Sequence, residues 1–272
     1  RVLILDEPTT GISAPQKALL FETLHKLAVE GLSVIFVSHK LEEVEQLCAQ
    51  VTVLRQGRVV GAMSAPLDTD RLVQLMFGQC LTSATRPSLE LGDVALELQQ
   101  ASVHTYRLTL AQVSLAVRRG EVIGLAGLEG SGQRLFMQAC AGIQRLATGR
   151  LVIDGQDMTH QPYCHFLDRG VAFVPAARLE EGMVPGLQIR EHVALTRDGH
   201  GFFMRWPQVD EQTRDMIQEY NIVGRPETLV QELSGGNQQR TLLALLPRNL
   251  RLLILEHPTR GLDIESSRWV WN

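Results

Sequence analysis

The chain has 272 residues, enough for one large domain or two small ones with a sizeable core. Its formal net charge of −4 weighs against nucleic acid or an anionic membrane as the main partner, local basic patches aside. No apolar run approaches the roughly 20 residues that span a bilayer, and no signal peptide is visible. Cys48, Cys80, Cys140 and Cys164 show neither CxxC nor metal spacing, which fits scattered reduced thiols of a cytosolic protein.

From the N-terminus, Val2–Leu5 is a continuous apolar run of the kind that parallel strands buried on both faces display. A helix is expected over Pro15–Glu30, with Leu19, Leu20, Leu24 and Leu27 at helical spacing and Gly31 as its stop. Leu32–Val37 reads as a strand carrying Ser38-His39 at its carboxyl end, and Leu41–Cys48 as a helix. Val51–Leu54 and Arg58–Val60 read as short strands joined by a Gln-Gly turn. Residues 79–93 have linker composition, with Ser, Thr, Pro and Gly and no periodicity. Beyond them Ala95–Gln99 and Leu110–Val117 are expected strands. Glu121–Ala126 is expected as a strand running into a glycine-rich turn, and Arg134–Ala141 as the helix leaving it. Leu151–Asp154 and Val171–Val174 add strands, and the stretch Ile189–Tyr220 reads as mainly helical.

The chain says nearly the same thing twice. Arg1–Pro15 reads RVLILDEPTTGISAP and Arg251–Glu265 reads RLLILEHPTRGLDIE, about 250 residues later. Each is an apolar strand ending in an acid, followed by a Pro-Thr turn and a glycine. A repeat of whole-domain length implies two tandem copies of one domain. The chain begins inside a strand and stops in an expected helix, so it is expected to be a fragment of about one period. The first strand ends in Asp6-Glu7 and the second in Glu256-His257, so the two sites are expected to differ in chemistry.

Two glycine-rich strings carry further chemistry. Gly127–Arg134, GLEGSGQR, has the glycine spacing of the phosphate loop G-x-x-x-x-G-K-[ST] between a strand and a helix. Small residues there let backbone N–H groups close around phosphate oxygens at the positive end of a helix. Gln133 replaces the lysine and Arg134 the magnesium-binding hydroxyl, so nucleotide binding is plausible and efficient hydrolysis is not. Alone, the string also fits a strand-to-helix turn that binds nothing. Leu233–Arg240, LSGGNQQR, is the most specific string of the chain. Ser234 suits an N-cap, Gly235 and Gly236 permit close approach by an anion, and Pro247 must end or kink the helix that follows.

Together these strings resemble the ATP-binding cassette (ABC) family. LSGGNQQ is the form seen in the second cassette of double-cassette ATPases of simple-sugar-type importers, and the resemblance covers essentially the whole chain. It implies an α/β P-loop fold, a mixed sheet core with a helical subdomain. Residues 1–78 would be the C-terminal part of a first cassette, 79–93 a linker, and 94–272 a second, degenerate cassette. By position, Asp6 matches the acid that holds Mg2+ through water, Glu7 the carboxylate that polarises the attacking water, and His39 the switch histidine at the γ-phosphate. Gly127, Gly130, Ser131, Gly132, Gln133 and Arg134 match the phosphate loop. Ser234, Gly235, Gly236 and Asn237 match the signature helix that closes on the ATP of the facing cassette. Glu256 matches the second copy's metal-binding acid, one methylene longer, and His257 its missing base. Tyr106 lies at about the right distance before the loop to stack on adenine, and equally suits half-buried packing. Ala176 and Ala177 stand in the lid stretch where the family carries polar ligands, and Ser13 where it usually has an aspartate that the second copy keeps as Asp263.

The function implied is the ATP-hydrolysing subunit of a bacterial importer for a simple sugar or nucleoside, using ATP and Mg2+. It would sit on the cytoplasmic face of the inner membrane against a separate permease, which is fed by an extracytoplasmic solute-binding protein. No nucleic-acid partner is expected. The intact protein would have one competent and one degenerate site, and this chain alone would be a poor ATPase. Two other classes compete: a soluble cassette ATPase acting on ribosomes or DNA, and a nucleotide-sensing regulatory module without turnover. The first lacks support because the sequence shows no heptad run and no suitable zinc-binding cysteine spacing. Gln133, Arg134 and His257 suit the second for the later copy, whereas Asp6, Glu7 and His39 oppose it for the whole protein.

Overall fold

The computed structural model of the protein describes residues 1–9, 12–55, 57–77, 90–128, 130–196, 204–262 and 264–271. Most of the expected linker, with Cys80, and also Glu129 and Asp263, lie outside the described residues. The chain divides into two compact units, Arg1–Arg86 with Asp263–Arg268, and Pro87–Leu262 with Trp269–Asn272.

The first unit runs β1 (Val2–Asp6), α1 (Ala14–Val29), β2 (Ser33–Val37), α2 (Leu41–Leu47), β3 (Gln50–Arg55), β4 (Arg58–Ser64) and α3 (Thr69–Phe77). β1 and β2 pair in parallel with Asp6 opposite Val37, so both strands deliver their following residues to one end of the sheet. β3 and β4 form an antiparallel hairpin. The apolar run of β1 was expected to be buried on both faces, and it is not. Leu3 and Leu5 are half-buried beside Val34 and Phe36 of β2, on the face where Phe36 meets Phe21 of α1 edge-on at 6.0 Å. Val2 and Ile4 on the other face stay 62% and 67% exposed, because the described helix covers one side of a two-stranded sheet only. Helix α3 was not anticipated. Asp68 caps it, its carboxylate accepting from the Arg71 N–H at 3.0 Å, and Leu72 anchors it in the core.

The second unit contains β5 (Val94–His104), β6 (Thr109–Arg118), α4 (Gln133–Cys140), β7 (Thr148–Ile153), β8 (Gln156–Asp157), α5 (Tyr163–Asp168) and β9 (Val171–Val174). There follow a π-helical turn (Arg178–Gly182), α6 (Ile189–Leu195), α7 (Trp206–Glu219), a 3-10 turn (Val230–Glu232), α8 (Gly235–Ala244) and β10 (Leu252–Leu255). Helix α9 (Ile264–Trp271) closes the chain. β6, β5, β7 and β8 form one antiparallel sheet in that order, and β9 pairs with β10 in parallel. One core joins Leu96, Leu98 and Val103 of β5 with Leu151 and Ile153 of β7, Leu135 and Ala139 of α4, and Phe166 of α5. A second, helical core gathers Ile189, Ile222, Val230, Leu233 and Leu242 around Val174 at the end of β9.

The expected strand Glu121–Ala126 is not one. Residues 121–128 run without ladder hydrogen bonds, leaving Val122 77% and Leu125 43% exposed. An apolar run becomes a strand only when a neighbour offers its backbone. β10 pairs with β9, and among the described residues no strand lies along 121–126.

Candidate functional site

Two groups of side chains sit at strand ends, one in each unit. In the first unit the parallel register of β1 and β2 carries Glu7 and His39 to the same end, with the Glu7 N–H donating to Val37 O at 2.9 Å. The Glu7 carboxylate meets His39 Nδ1 at 2.6 Å. A carboxylate accepts, so Nδ1 carries the proton in this pair, and the ring is held in one orientation. Glu7 adopts φ 43°, left-handed backbone that costs a side-chain-bearing residue about 1–2 kcal/mol. Such strain persists where surrounding structure enforces it, commonly at functional sites. Asp6 ends β1 exposed to solvent.

Beneath this pair lies a residue that sequence reading passed over. Glu43 of α2 is 1% exposed, and its Oε2 accepts from Thr9 Oγ1 at 2.7 Å and from Ser38 Oγ at 3.0 Å. Lys40 Nζ stands 3.3 Å from its Oε1 and donates to Thr9 Oγ1 at 3.1 Å. Thr9 follows Glu7 by two residues and Ser38 precedes His39, so one carboxylate ties together the two loops that hold the pair. Burial pushes the Glu43 carboxyl up, but the bonds from Thr9, Ser38 and Lys40, with the Lys40 charge, outweigh it and hold the carboxyl below its ordinary value. The available signal was an acid in the first turn of a short helix, next to Val44 on the buried side.

In the second unit the glycine-rich loop leads into α4 as expected. Gly132, at φ 116°, is the N-cap, and a Cβ there would lie 2.6 Å from Leu110 Cδ2. Gly127 is needed for space, since its missing Cβ would meet Gln133 Nε2 at 2.1 Å. The Gln133 amide is turned back over the loop: Nε2 donates to Leu128 O at 3.2 Å, and Oε1 lies 3.1 Å from Ser131 Oγ. Ser131 Oγ is also bonded to Leu128 O at 2.7 Å. Gly130 takes φ 85° at the apex of the turn.

Arg134, the first residue after Gln133, bonds the carboxylate of Glu181 in the π-helical turn and stands 3.7 Å from Oε2 of Glu256. Glu256 is 5% exposed and also accepts from the Ala176 N–H at 3.2 Å. The Glu181 hydrogen bond, and then the charges of Glu256 and Glu181, raise the Arg134 pKa against partial burial. His257 repeats the φ 43° of Glu7, so the two strand-end turns share a strained backbone and differ in the side chain it presents. Glu181 carries no motif signal, since it reaches Arg134 from 47 residues away.

The LSGG string forms α8 with Ser234 as N-cap, its Oγ accepting from the Asn237 N–H at 3.4 Å and from Asn237 Nδ2 at 2.9 Å. Asn237 Oδ1 in turn accepts from the Val223 N–H at 2.8 Å, so its amide fastens α8 to the turn after α7. Helix α8 ends at Ala244, three residues before Pro247. Arg178 Nε donates to the buried Gln239 of α8 at 2.6 Å, and another guanidinium nitrogen bonds Arg260 O after β10. The stretch after β9, whose Ala176 and Ala177 offer no side-chain ligand, is thus linked to α8 and to the turn after β10 by Arg178 and to Glu256 by a backbone N–H. Tyr106 is 88% exposed in the β5–β6 turn, with the Arg107 guanidinium 4.8 Å from its ring centre.

Among the described residues no group of three or more His, Cys, Asp and Glu side chains could hold a metal, and no helix is long and apolar enough to cross a membrane. Cys48, Cys140 and Cys164 are unpaired thiols.

The family model of the ABC transporter matches residues 110–260. The chain is 35% identical to the glucose import ATP-binding protein TsgD13 of Haloferax volcanii, over 97% of this chain and 50% of that protein. It is 36% identical to a ribose import ATP-binding protein of Rubrobacter xylanophilus (97% and 54% covered) and 30% identical to the nucleoside import ATP-binding protein NupA of Lactococcus lactis (99% and 55%). The chain thus spans about half the length of the curated relatives it matches. An ATP-binding cassette of an ABC transporter superposes with a TM-score of 0.56 at 14% identity, covering 66% of this chain and 75% of that one. A cassette bound to ADP and phosphate gives a TM-score of 0.53 at 18% identity, covering 64% and 79%. Matched by that family model over more than half its length and by these relatives over nearly all of it, the chain belongs to the ABC transporter family.

Proposed function

We propose that this chain is part of the ATPase subunit of an importer for a simple sugar or nucleoside. Residues 1–78 would end a first cassette, 79–93 form a linker and 94–272 belong to a second. The relatives' names, import ATP-binding proteins for glucose, ribose and nucleosides, support the class of solute. In this reading the subunit works on the cytoplasmic face of the membrane against a permease, which receives solute from an extracytoplasmic binding protein. Two facing cassettes close on ATP; Asp6, Glu7 and His39 belong to the hydrolytic machinery of the first, and Ser234–Asn237 to the signature helix of the second.

The observation that carries the reading is the 2.6 Å contact of His39 with Glu7, where the second copy has His257 in place of the carboxylate. Asp6 would hold Mg2+, which would supply charge neutralisation at the phosphates. Glu7 polarises the attacking water, and the His39 it orients contacts the γ-phosphate. The second copy puts an imidazole where this carboxylate stands. Loss of a positioned base costs about 10²–10⁴ in rate, or roughly 3–5 kcal/mol of barrier, so one site hydrolyses and the other is degenerate. Tyr106, exposed before the second loop, is placed in this reading against adenine.

The test is ATP hydrolysis by the intact double-cassette protein with its permease. Glu7→Gln is expected to lower kcat by at least about 10²-fold, and Gln133→Lys to leave it within about twofold. Turnover that survives Glu7→Gln, or a large gain on restoring the lysine, would overturn the assignment.

A further inference from the structure

In the second unit, the place where a phosphate-loop protein presents a hydroxyl and an acid to a divalent ion is filled by the chain's own cation. Position 134 offers a guanidinium instead of a hydroxyl, and that guanidinium lies 3.7 Å from Glu256, the acid ending β10. The neighbouring hydroxyl, Ser131 Oγ, is bonded to Leu128 O and Gln133 Oε1 within the loop. Glu256 Oε2 is also held by the Ala176 N–H, and the residue is 5% exposed. A metal ion at Oε2 would compete with the guanidinium and the Ala176 N–H for this oxygen, and position 134 meets it with a like charge in place of a hydroxyl ligand. The residues present do not fit Mg2+.

We propose that the second phosphate loop takes a nucleoside polyphosphate without a divalent metal, with Arg134 as the built-in cation between Glu256 and the phosphate oxygens. The proposal rests on the reading of Gly127–Arg134 as a nucleotide loop. Arg134 is 44% exposed and its second partner, Glu181, is 38% exposed, so Glu181 can release to water while Glu256 stays behind the guanidinium. The freed N–H donors match phosphate oxygens in a planar fork, and a guanidinium keeps its charge at every physiological pH. Gln133 holds the loop in shape through Leu128 O but adds no charge, which leaves Arg134 as the cation of the loop. The loop opens onto the N-terminus of α4, whose first N–H groups add to the attraction for an anion.

The experiment is equilibrium titration of this chain, which carries one such loop, with a fluorescent ATP analogue and ATP as competitor, in excess Mg2+ and in excess EDTA. The two dissociation constants are expected to agree within about twofold. Arg134→Ala is expected to weaken binding about tenfold or more in both buffers. Arg134→Thr restores a hydroxyl and frees Glu256, and its binding should become about tenfold weaker in EDTA than in Mg2+. Circular dichroism and thermal melts of each variant separate lost binding from lost folding. A tenfold loss in EDTA for the unaltered chain, wild-type affinity in Arg134→Ala, or no binding at millimolar ATP would each overturn the proposal. None of these outcomes bears on Glu7-dependent hydrolysis by the intact protein, and failure of that hydrolysis would leave these constants unchanged.

Discussion

Removing the Glu43 carboxylate should loosen the two loops that hold Glu7 and His39. Its Oε2 accepts from Thr9 and Ser38, and Lys40 lies 3.3 Å from Oε1. Hydrogen bonds to a charged group contribute about 1.5–3 kcal/mol each, and breaking a buried ion pair by deleting one partner costs about 3–5 kcal/mol. Lys40 is 41% exposed and regains water when its partner is lost, which discounts the ionic share. Glu43→Ala should therefore destabilise the first unit by about 3–4 kcal/mol, and Glu43→Gln, which keeps one acceptor oxygen, by about 1–2 kcal/mol. Against a typical total of about 5–15 kcal/mol this is a large fraction. The readout is amide hydrogen exchange over residues 33–47, expected to accelerate about 10²–10³-fold in Glu43→Ala where exchange follows unfolding of the unit. The pH dependence has a fixed sign. A carboxyl held below its ordinary value of 4.5 contributes stability that is complete above about pH 4.5 and is lost as pH falls through the folded pKa. Protection that changes less than about twofold in Glu43→Ala would refute the clamp.

Three further outcomes follow from the same geometry. Gly132→Ala must adopt φ 116° and place a Cβ 2.6 Å from Leu110 Cδ2, so urea unfolding should show a loss of about 2–4 kcal/mol; Gly130→Ala, at φ 85° with nothing within 4 Å, should lose only about 1 kcal/mol. Ser234→Ala removes the cap of α8 and the partner of the Asn237 amide, and should cost about 1–2 kcal/mol in the same assay. The Cys140 thiol is buried and pushed up to about 12, so mass spectrometry after maleimide treatment at pH 8 should find the exposed Cys164 modified and Cys140 untouched until denaturant is added.

Legibility differed between elements for physical reasons. Helices α1 and α4 and strand β9 were readable because periodicity, glycine stops and short apolar runs are local properties. The segment 121–126 was misread because a strand is a pairing, and pairing partners are not written in the segment itself. Helix α3 was overlooked although Asp68 caps it and Leu72 anchors it, both signals lying within its own stretch of sequence. The face of β1 left open could not be foreseen from an apolar run, which says that a strand prefers burial and not what will cover it.

The sequence by itself determined the repeat, the family, and the substitutions at Gln133, Arg134, Glu256 and His257 that separate one copy's chemistry from the other's. These are covalent identities, and spacing alone exposes them. Only the tertiary structure decided that Glu7 meets His39, that Glu43 ties together the loops beneath them, and that Arg134 turns to Glu181 and Glu256. Each of those contacts joins residues at least 32 positions apart, apart from those Glu43 makes to its near neighbours Ser38 and Lys40. Such contacts depend on parallel register and on which carboxylate must be neutralised once it is buried, and neither is a property of any stretch read alone.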